Sequence, residues 1–160
     1  MRKRHFLIAL AVLLLDRLTK WLVIRNIALD DAISIIPGLF RLTHLENPGA
    51  AFSLFAESSL PFRTGLLITI SVAALVVVGL LLWMRRNDFN LTTLALSLIM
   101  GGALGNLWDR LASGKVTDFL DFYVGSHHWP PFNFADSAIV VGALLLMLQM
   151  VRKETVRVTN

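Results

Sequence analysis

The sequence predicts an all-α integral membrane protein of four transmembrane helices, with a small extracytoplasmic β-cradle between helices 1 and 2. Three observations predict it. Apolar residues make up 56% of the 160-residue chain and charged residues only 16%, against about 45–50% and about 25% in soluble domains. The apolar excess falls in blocks, several of them long enough for the 20 or so helical residues that a bilayer core requires. The basic residues gather at the ends of those blocks, as topology signals do. A soluble helix bundle would instead alternate apolar and polar faces. One domain covering 1–160 is expected at this length.

The basic start Arg2, Lys3, Arg4 and the apolar run after it have the outline of a signal peptide, with Ala9-Leu10-Ala11 in small-x-small form. The run continues well past that site, so an uncleaved first span over 5–24 is expected. It contains Asp16, Arg17 and Lys20. Charges inside a span face protein or water rather than lipid. Asp16 and Lys20 are four apart, share a helix face and can pair. That pair either ties the first helix to its neighbours or supports a site.

Residues 26–60 are polar enough to leave the membrane. Pro37-Gly38 is a turn signal between Ile33-Ser34-Ile35 and Phe40-Arg41-Leu42-Thr43-His44, whose alternation suggests a β-hairpin. Asn47-Pro48-Gly49 is a tight turn, and the small residues after it allow close backbone approach. The second span is expected over 61–84, stopped by Arg85-Arg86, and the third over 91–108. In the third, Gly101 and Gly105 form a G-x-x-x-G step that favours close helix packing. The fourth span is expected over 135–151, followed by a short, charged, mobile tail. The Lys/Arg distribution puts both termini on the cytoplasmic side and segments 26–60 and 109–134 outside. All four tryptophans (21, 83, 108, 129) fall near predicted borders.

The net charge of +4 does not point to nucleic acid, because the cations sit at span ends. Cysteine is absent, which excludes disulfides, thiol nucleophiles and Cys-ligated metals. The segment Gly105–Asp136 carries four acids, Asp109, Asp118, Asp121 and Asp136, among glycines, prolines and seven aromatics. Asp118 follows the third span and Asp136 begins the fourth, so topology puts both at one membrane face. Two carboxyls sharing a site cannot both ionise cheaply; one keeps a proton while the other can deprotonate a water. This is an aspartic-protease arrangement, and it requires no metal and no cofactor. The segment has no H-E-x-x-H, Walker or G-x-S-x-G pattern to suggest other chemistry. His127-His128 beside the acids offers a minor metal alternative. On topology and composition alone, a proton-coupled carrier remains as good a reading as a protease.

Five ordered blocks resemble those of the signal peptidase II family of bacterial membrane aspartyl proteases. They are Asp16-Arg17-Leu18-Thr19-Lys20, Asn47-Pro48-Gly49-Ala50-Ala51-Phe52, Gly105-Asn106-Leu107-Trp108-Asp109-Arg110, Gly114-Lys115-Val116-Thr117-Asp118-Phe119 and Phe132-Asn133-Phe134-Ala135-Asp136-Ser137. The resemblance implies catalysis by Asp118 and Asp136. It implies support or substrate contact by Asp16, Lys20, Asn47, Gly49, Asn106, Asp109, Arg110, Asn133 and Ala135. It also implies prolipoprotein substrates bearing a diacylglyceryl-cysteine, cut just before that cysteine, a multi-pass location among the lipids of the bacterial inner membrane with the active site near its outer face, and inhibition by globomycin. Trp108 departs from the family pattern, where a branched aliphatic residue is usual. Asp121, three residues from Asp118, is not assigned catalysis by the blocks and is read as a polar loop or supporting group.

Overall fold

The computed structural model describes residues 2–49, 60–85 and 89–158. The Ala50-Ala51-Phe52 part of the second block, Arg86 of the stop signal and residues 159–160 of the tail lie outside them.

Among the described residues, four helices and four strands follow in the order α1 (Arg2–Asn26), β1 (Ala32–Ile36), β2 (Phe40–Asn47), α2 (Leu60–Met84), α3 (Leu91–Ser113), β3 (Val116–Val124), β4 (His127–His128) and α4 (Phe134–Val158). Helix α3 is the centre of the bundle, packed by α4, α1 and α2. Among the described residues, three helices are long and apolar enough to cross a membrane: Pro61–Met84, Leu91–Ser113 and Phe134–Arg152. Helix α1 is as long as α2 but carries Arg4, Asp16, Arg17 and Lys20, and it is not among the three.

The two faces of α1 explain this. Its buried stripe is His5, Ala9, Val12, Asp16, Lys20 and Val23, at helical three- and four-residue spacing, continued by Ile27 just past its end. Its exposed surface includes Leu7, Leu10, Leu14, Leu18 and Leu22. The helix therefore carries Asp16 and Lys20 on its inner face and leucines on its outer face, unlike a helix on a water-soluble bundle, whose charges face out.

Glycines allow the helices to approach. A Cβ placed on Gly101 would stand 2.6 Å from the Ala9 carbonyl oxygen of α1, and one on Gly142 would stand 2.7 Å from the Ala95 carbonyl oxygen of α3. A Cβ on Gly105 would stand 2.5 Å from Asp16 Oδ2. The G-x-x-x-G step thus packs α3 against α1, as its spacing suggests. Helix α3 starts on the capping residue Asn90, whose side chain accepts from Thr93 N, and stops at Gly114, whose φ of 76° suits a residue without a Cβ.

The four strands are antiparallel in the order β1-β2-β3-β4. The expected hairpin on residues 26–60 is present as β1 and β2, turning at Pro37-Gly38. The sheet is larger than a cradle between helices 1 and 2, because β3 and β4 come from the segment after α3. Its inner side closes on the bundle through Val23, Ile27 and Phe119, with Leu42, Leu120 and Phe134 alongside. Two further boundaries differ from expectation. Helix α3 runs to Ser113, so Asp109 and Arg110 are on the helix and not in an external loop. Helix α4 continues to Val158, where a mobile tail was expected.

Gly101→Ala should lower thermal stability in detergent or nanodiscs, by about 1–3 kcal/mol for overpacking against backbone. Gly65→Ala, where a Cβ meets nothing within 4 Å, should leave the melting temperature unchanged or raised.

Candidate active site

The site lies where α1, α3, α4, β2 and β3 meet. Asp118 is on β3, opposite Leu45 of β2. Asp136 is in the first turn of α4. Asn133 brings them together. Its Nδ2 donates to Asp118 Oδ1 at 2.8 Å, and its backbone N–H donates to Asp136 Oδ2 at 3.2 Å. In return, Asp136 N–H donates to Asn133 Oδ1 at 2.9 Å. This reciprocal pair caps the start of α4, so the residue that begins the helix also joins the two acids.

The other oxygen of each carboxyl is also held. Asn47 Nδ2 donates to Asp118 Oδ2 at 2.9 Å, and Asn106 Nδ2 donates to Asp136 Oδ1 at 2.7 Å. Gly49 contributes indirectly: its N–H donates to Asn47 Oδ1 at 2.8 Å, which turns the Asn47 amide nitrogen towards Asp118. The φ of 91° at Gly49 is a left-handed conformation that favours glycine.

Behind this layer is a buried ionic cluster. Lys20 is fully enclosed and lies 2.9 Å from Asp16 Oδ2, 2.7 Å from Asp109 Oδ2 and 3.1 Å from Asn106 Oδ1. The contact with Asp109 is an ion pair whose angles fall outside hydrogen-bond geometry. Asp109 also pairs with Arg17. Asp16 Oδ1 accepts from Ala135 N–H at 3.0 Å, anchoring the first turn of α4 to α1. Arg110 is half-buried and donates to the Asn106 carbonyl at 3.4 Å. It is close enough to Asp136, Asp118 and Asp109 to feel their charges.

Burial pushes the Asp118 carboxyl up to about 6; the hydrogen bonds from Asn47 and Asn133 and the charge of Lys20 hold it down, while the Asp136 charge adds to the rise. A carboxyl in that range can hold or release a proton near neutral pH, as an acid–base pair requires.

All eleven residues singled out from sequence therefore fall in one connected region. The structure adds Arg17, the second partner of Asp109. Its partner is 92 positions away, so no local spacing could have indicated it. Asp121 belongs to a separate cluster. Arg41 Nε donates to its Oδ2 at 2.6 Å and His128 Nδ1 lies 3.0 Å from its Oδ1. Burial raises Asp121, but the hydrogen bonds from His128 and Arg41 outweigh it and hold the group below its ordinary value. Of the aromatics in the Gly105–Asp136 segment, Phe119 is buried, whereas Phe122 and Trp129 are exposed.

Comparison with known proteins fits this geometry. The family described as Signal peptidase (SPase) II matches residues 8–152, a stretch that contains every residue of the site. The chain belongs to the signal peptidase II family. It is accordingly a protease and a bacterial membrane protein. It is 43% identical over 152 residues to a lipoprotein signal peptidase of Solibacter usitatus, covering 95% of this chain and 93% of that one. It is 48% identical over 147 residues to a lipoprotein signal peptidase of Geobacter sulfurreducens, covering 92% and 91%. Two structures of bacterial membrane enzymes solved by the in meso method share the fold. One has a TM-score of 0.83 at 26% identity, covering 95% of this chain and 90% of that chain; the other has 0.80 at 28% identity, covering 92% of each.

Asn47→Ala removes a bond that favours the ionised form of Asp118, so its ionisation should move above about 6. The check is an infrared pH titration: the protonated-carboxyl band should persist to higher pH in Asn47→Ala and be missing from Asp118→Asn.

Proposed function

We propose that this protein is an aspartyl endopeptidase that removes signal peptides from diacylglyceryl-modified prolipoproteins, cutting just before the lipidated cysteine. The observation that carries the proposal is the pair Asp118 and Asp136, joined through Asn133 with all four carboxyl oxygens hydrogen bonded. One carboxylate takes a proton from the attacking water. The other carboxyl protonates the carbonyl oxygen; as the C–N bond breaks, the proton taken from water passes to the leaving amine and a hydroxyl of the intermediate returns its proton to the second carboxylate. The elevated Asp118 supports a single proton shared by the pair near neutral pH. Asn47, Asn106 and Asn133 hold the acids in place, so that little reorganisation accompanies the reaction.

The whole chain acts as one membrane-embedded domain in the bacterial inner membrane, with both termini in the cytoplasm and the acids near the outer face. Helix α1 is the fourth span. Its charges turn inward to Asp109 and Asn106 while its leucines face out, which supports this placement. The diacylglyceryl group stays in the bilayer, and the signal helix unwinds locally to bring its scissile bond to the acids. Globomycin binds at the same acids.

Asp118→Asn and Asp136→Asn should each lower cleavage of a diacylglyceryl-modified prolipoprotein by about 10²–10⁴-fold or more, with thermal unfolding little changed. The double variant should be no worse than the weaker single, because the acids act as a unit. Near-normal turnover by either single variant would sink the assignment. Cleavage should withstand chelators and stop with globomycin. Asp121→Asn should lower the melting temperature yet leave cleavage standing.

A further inference from the structure

The three carboxamides that face the acid pair are oriented by different means. Each presents its NH₂ to a carboxyl because something else holds its oxygen. Asn47 Oδ1 is held by the N–H of Gly49, and Asn133 Oδ1 by the N–H of Asp136. Both donors are backbone groups. Asn106 Oδ1 is held by the ammonium of Lys20 at 3.1 Å and by Asn133 Nδ2 at 3.2 Å. The second of these is the longer of the two bonds that Asn133 Nδ2 makes.

An ammonium has three N–H donors and no acceptor. Lys20 donates to Asp16 Oδ2 and Asn106 Oδ1 and forms an ion pair with Asp109 Oδ2. A reversed Asn106 would set its NH₂ against that cation and turn its oxygen towards Asp136. We infer that Lys20 is a positioning residue that fixes the polarity of the Asn106 amide and thereby keeps an N–H donor, rather than an acceptor, on Asp136. The inference rests on Asp118 and Asp136 being the reacting pair.

The consequence concerns protonation. With an N–H donor on Asp136, the ionised carboxylate is stabilised. With the Asn106 oxygen there instead, only a protonated carboxyl could bond to it, and the pair would keep its second proton to higher pH. The remaining charged groups around this network are Asp16 and Arg17 on α1, Asp109 and Arg110 on α3, and Asp118 on β3. Removing Lys20 alone would leave Asp16 and Asp109 with one fewer cation. The test therefore removes Lys20 and the charge of Asp16 together. With Asp16→Asn, the carboxamide oxygen at that position can still accept from Ala135 N–H, and Arg17 would still pair with Asp109.

The experiment is the pH profile of kcat/KM on a diacylglyceryl-modified prolipoprotein, with folding checked by circular dichroism and thermal unfolding. In Lys20→Met/Asp16→Asn the acid limb should move up by about one pH unit, with turnover on that limb reduced about 10-fold. Asp16→Asn alone, which keeps Lys20, should hold the limb near its original place. Lys20→Gln/Asp16→Asn restores a neutral N–H donor and should recover part of the movement. Adding Asn106→Ala to Lys20→Met/Asp16→Asn should move the limb no further, as expected for two residues acting through one contact. An unmoved limb in Lys20→Met/Asp16→Asn, or a further additive movement with Asn106→Ala, overturns the inference. Should the Lys20 variants fail to fold, Asn106→Asp keeps Lys20 and gives it a carboxylate with no N–H for Asp136. The limb must then rise, and an unchanged limb overturns the inference. Failure of the underlying reading is distinguishable, because it would appear as near-normal turnover in Asp118→Asn or Asp136→Asn.

Discussion

The buried ammonium of Lys20 is the interaction on which the rest of the structure depends. It is completely enclosed, as is Asp16. A charge in that position costs several kcal/mol unless it is paired and hydrogen bonded. Its partners come from α1 and α3, and each partner is itself engaged elsewhere. Asp16 holds the start of α4 through Ala135, Asp109 takes Arg17, and Asn106 reaches Asp136 and Asn133. The compensation of one charge thus sets how three helices meet. Displacing any of them would leave a carboxylate or an ammonium without a partner in a medium that cannot solvate it.

The same constraint explains why Asp16 and Lys20 lie on the inner face of α1. In water, burying leucine drives packing; against lipid, an exposed leucine costs nothing, and packing must come from close fit and polar pairing. Gly101, Gly105 and Gly142 supply the close fit, with neighbouring helix atoms standing where a side chain would go. Asp16, Lys20 and Asp109 supply the pairing. At the sheet end, the packing is more like that of a soluble protein, with Phe119, Val23 and Ile27 in one buried apolar cluster. The acids lie at the junction of these two regimes. Asp118 is anchored in a strand and Asp136 at a helix start, and both supports are rigid.

Much of this was legible in the chain. The three most apolar helices are visible as blocks, and the α1 pair follows from the i, i+4 spacing of Asp16 and Lys20. The Pro37-Gly38 hairpin follows from its turn residues and flanking alternation. Strand β3 was not legible. Its run Val116–Val124 is broken by Asp118 and Asp121, and an isolated acid in an apolar stretch reads as a loop when its cross-strand partners are unknown. Those partners, Leu45 and Arg41, are on β2, some 70 to 80 positions earlier. The end of α3 was missed for a similar reason. Asp109 and Arg110 resemble an exit from the membrane, but Asp109 is buried against Lys20 and Arg17, so the helix continues through both to Gly114.

The sequence by itself determined the membrane character, the short-range pair on α1 and the blocks that contain the acids, because hydropathy, helical spacing and turn chemistry are local properties. Only the tertiary structure decided which donor faces which oxygen. Asn47, Asn106 and Asn133 come from β2, α3 and the start of α4, and an amide can present either its oxygen or its nitrogen. That choice depends on the group at its other end: Gly49 and Asp136 backbone N–H for two of them, and the ammonium of Lys20 for the third. Gly105–Asp136 holds both acids in sequence, but the charge that organises them comes from the first helix, and only folding brings it there.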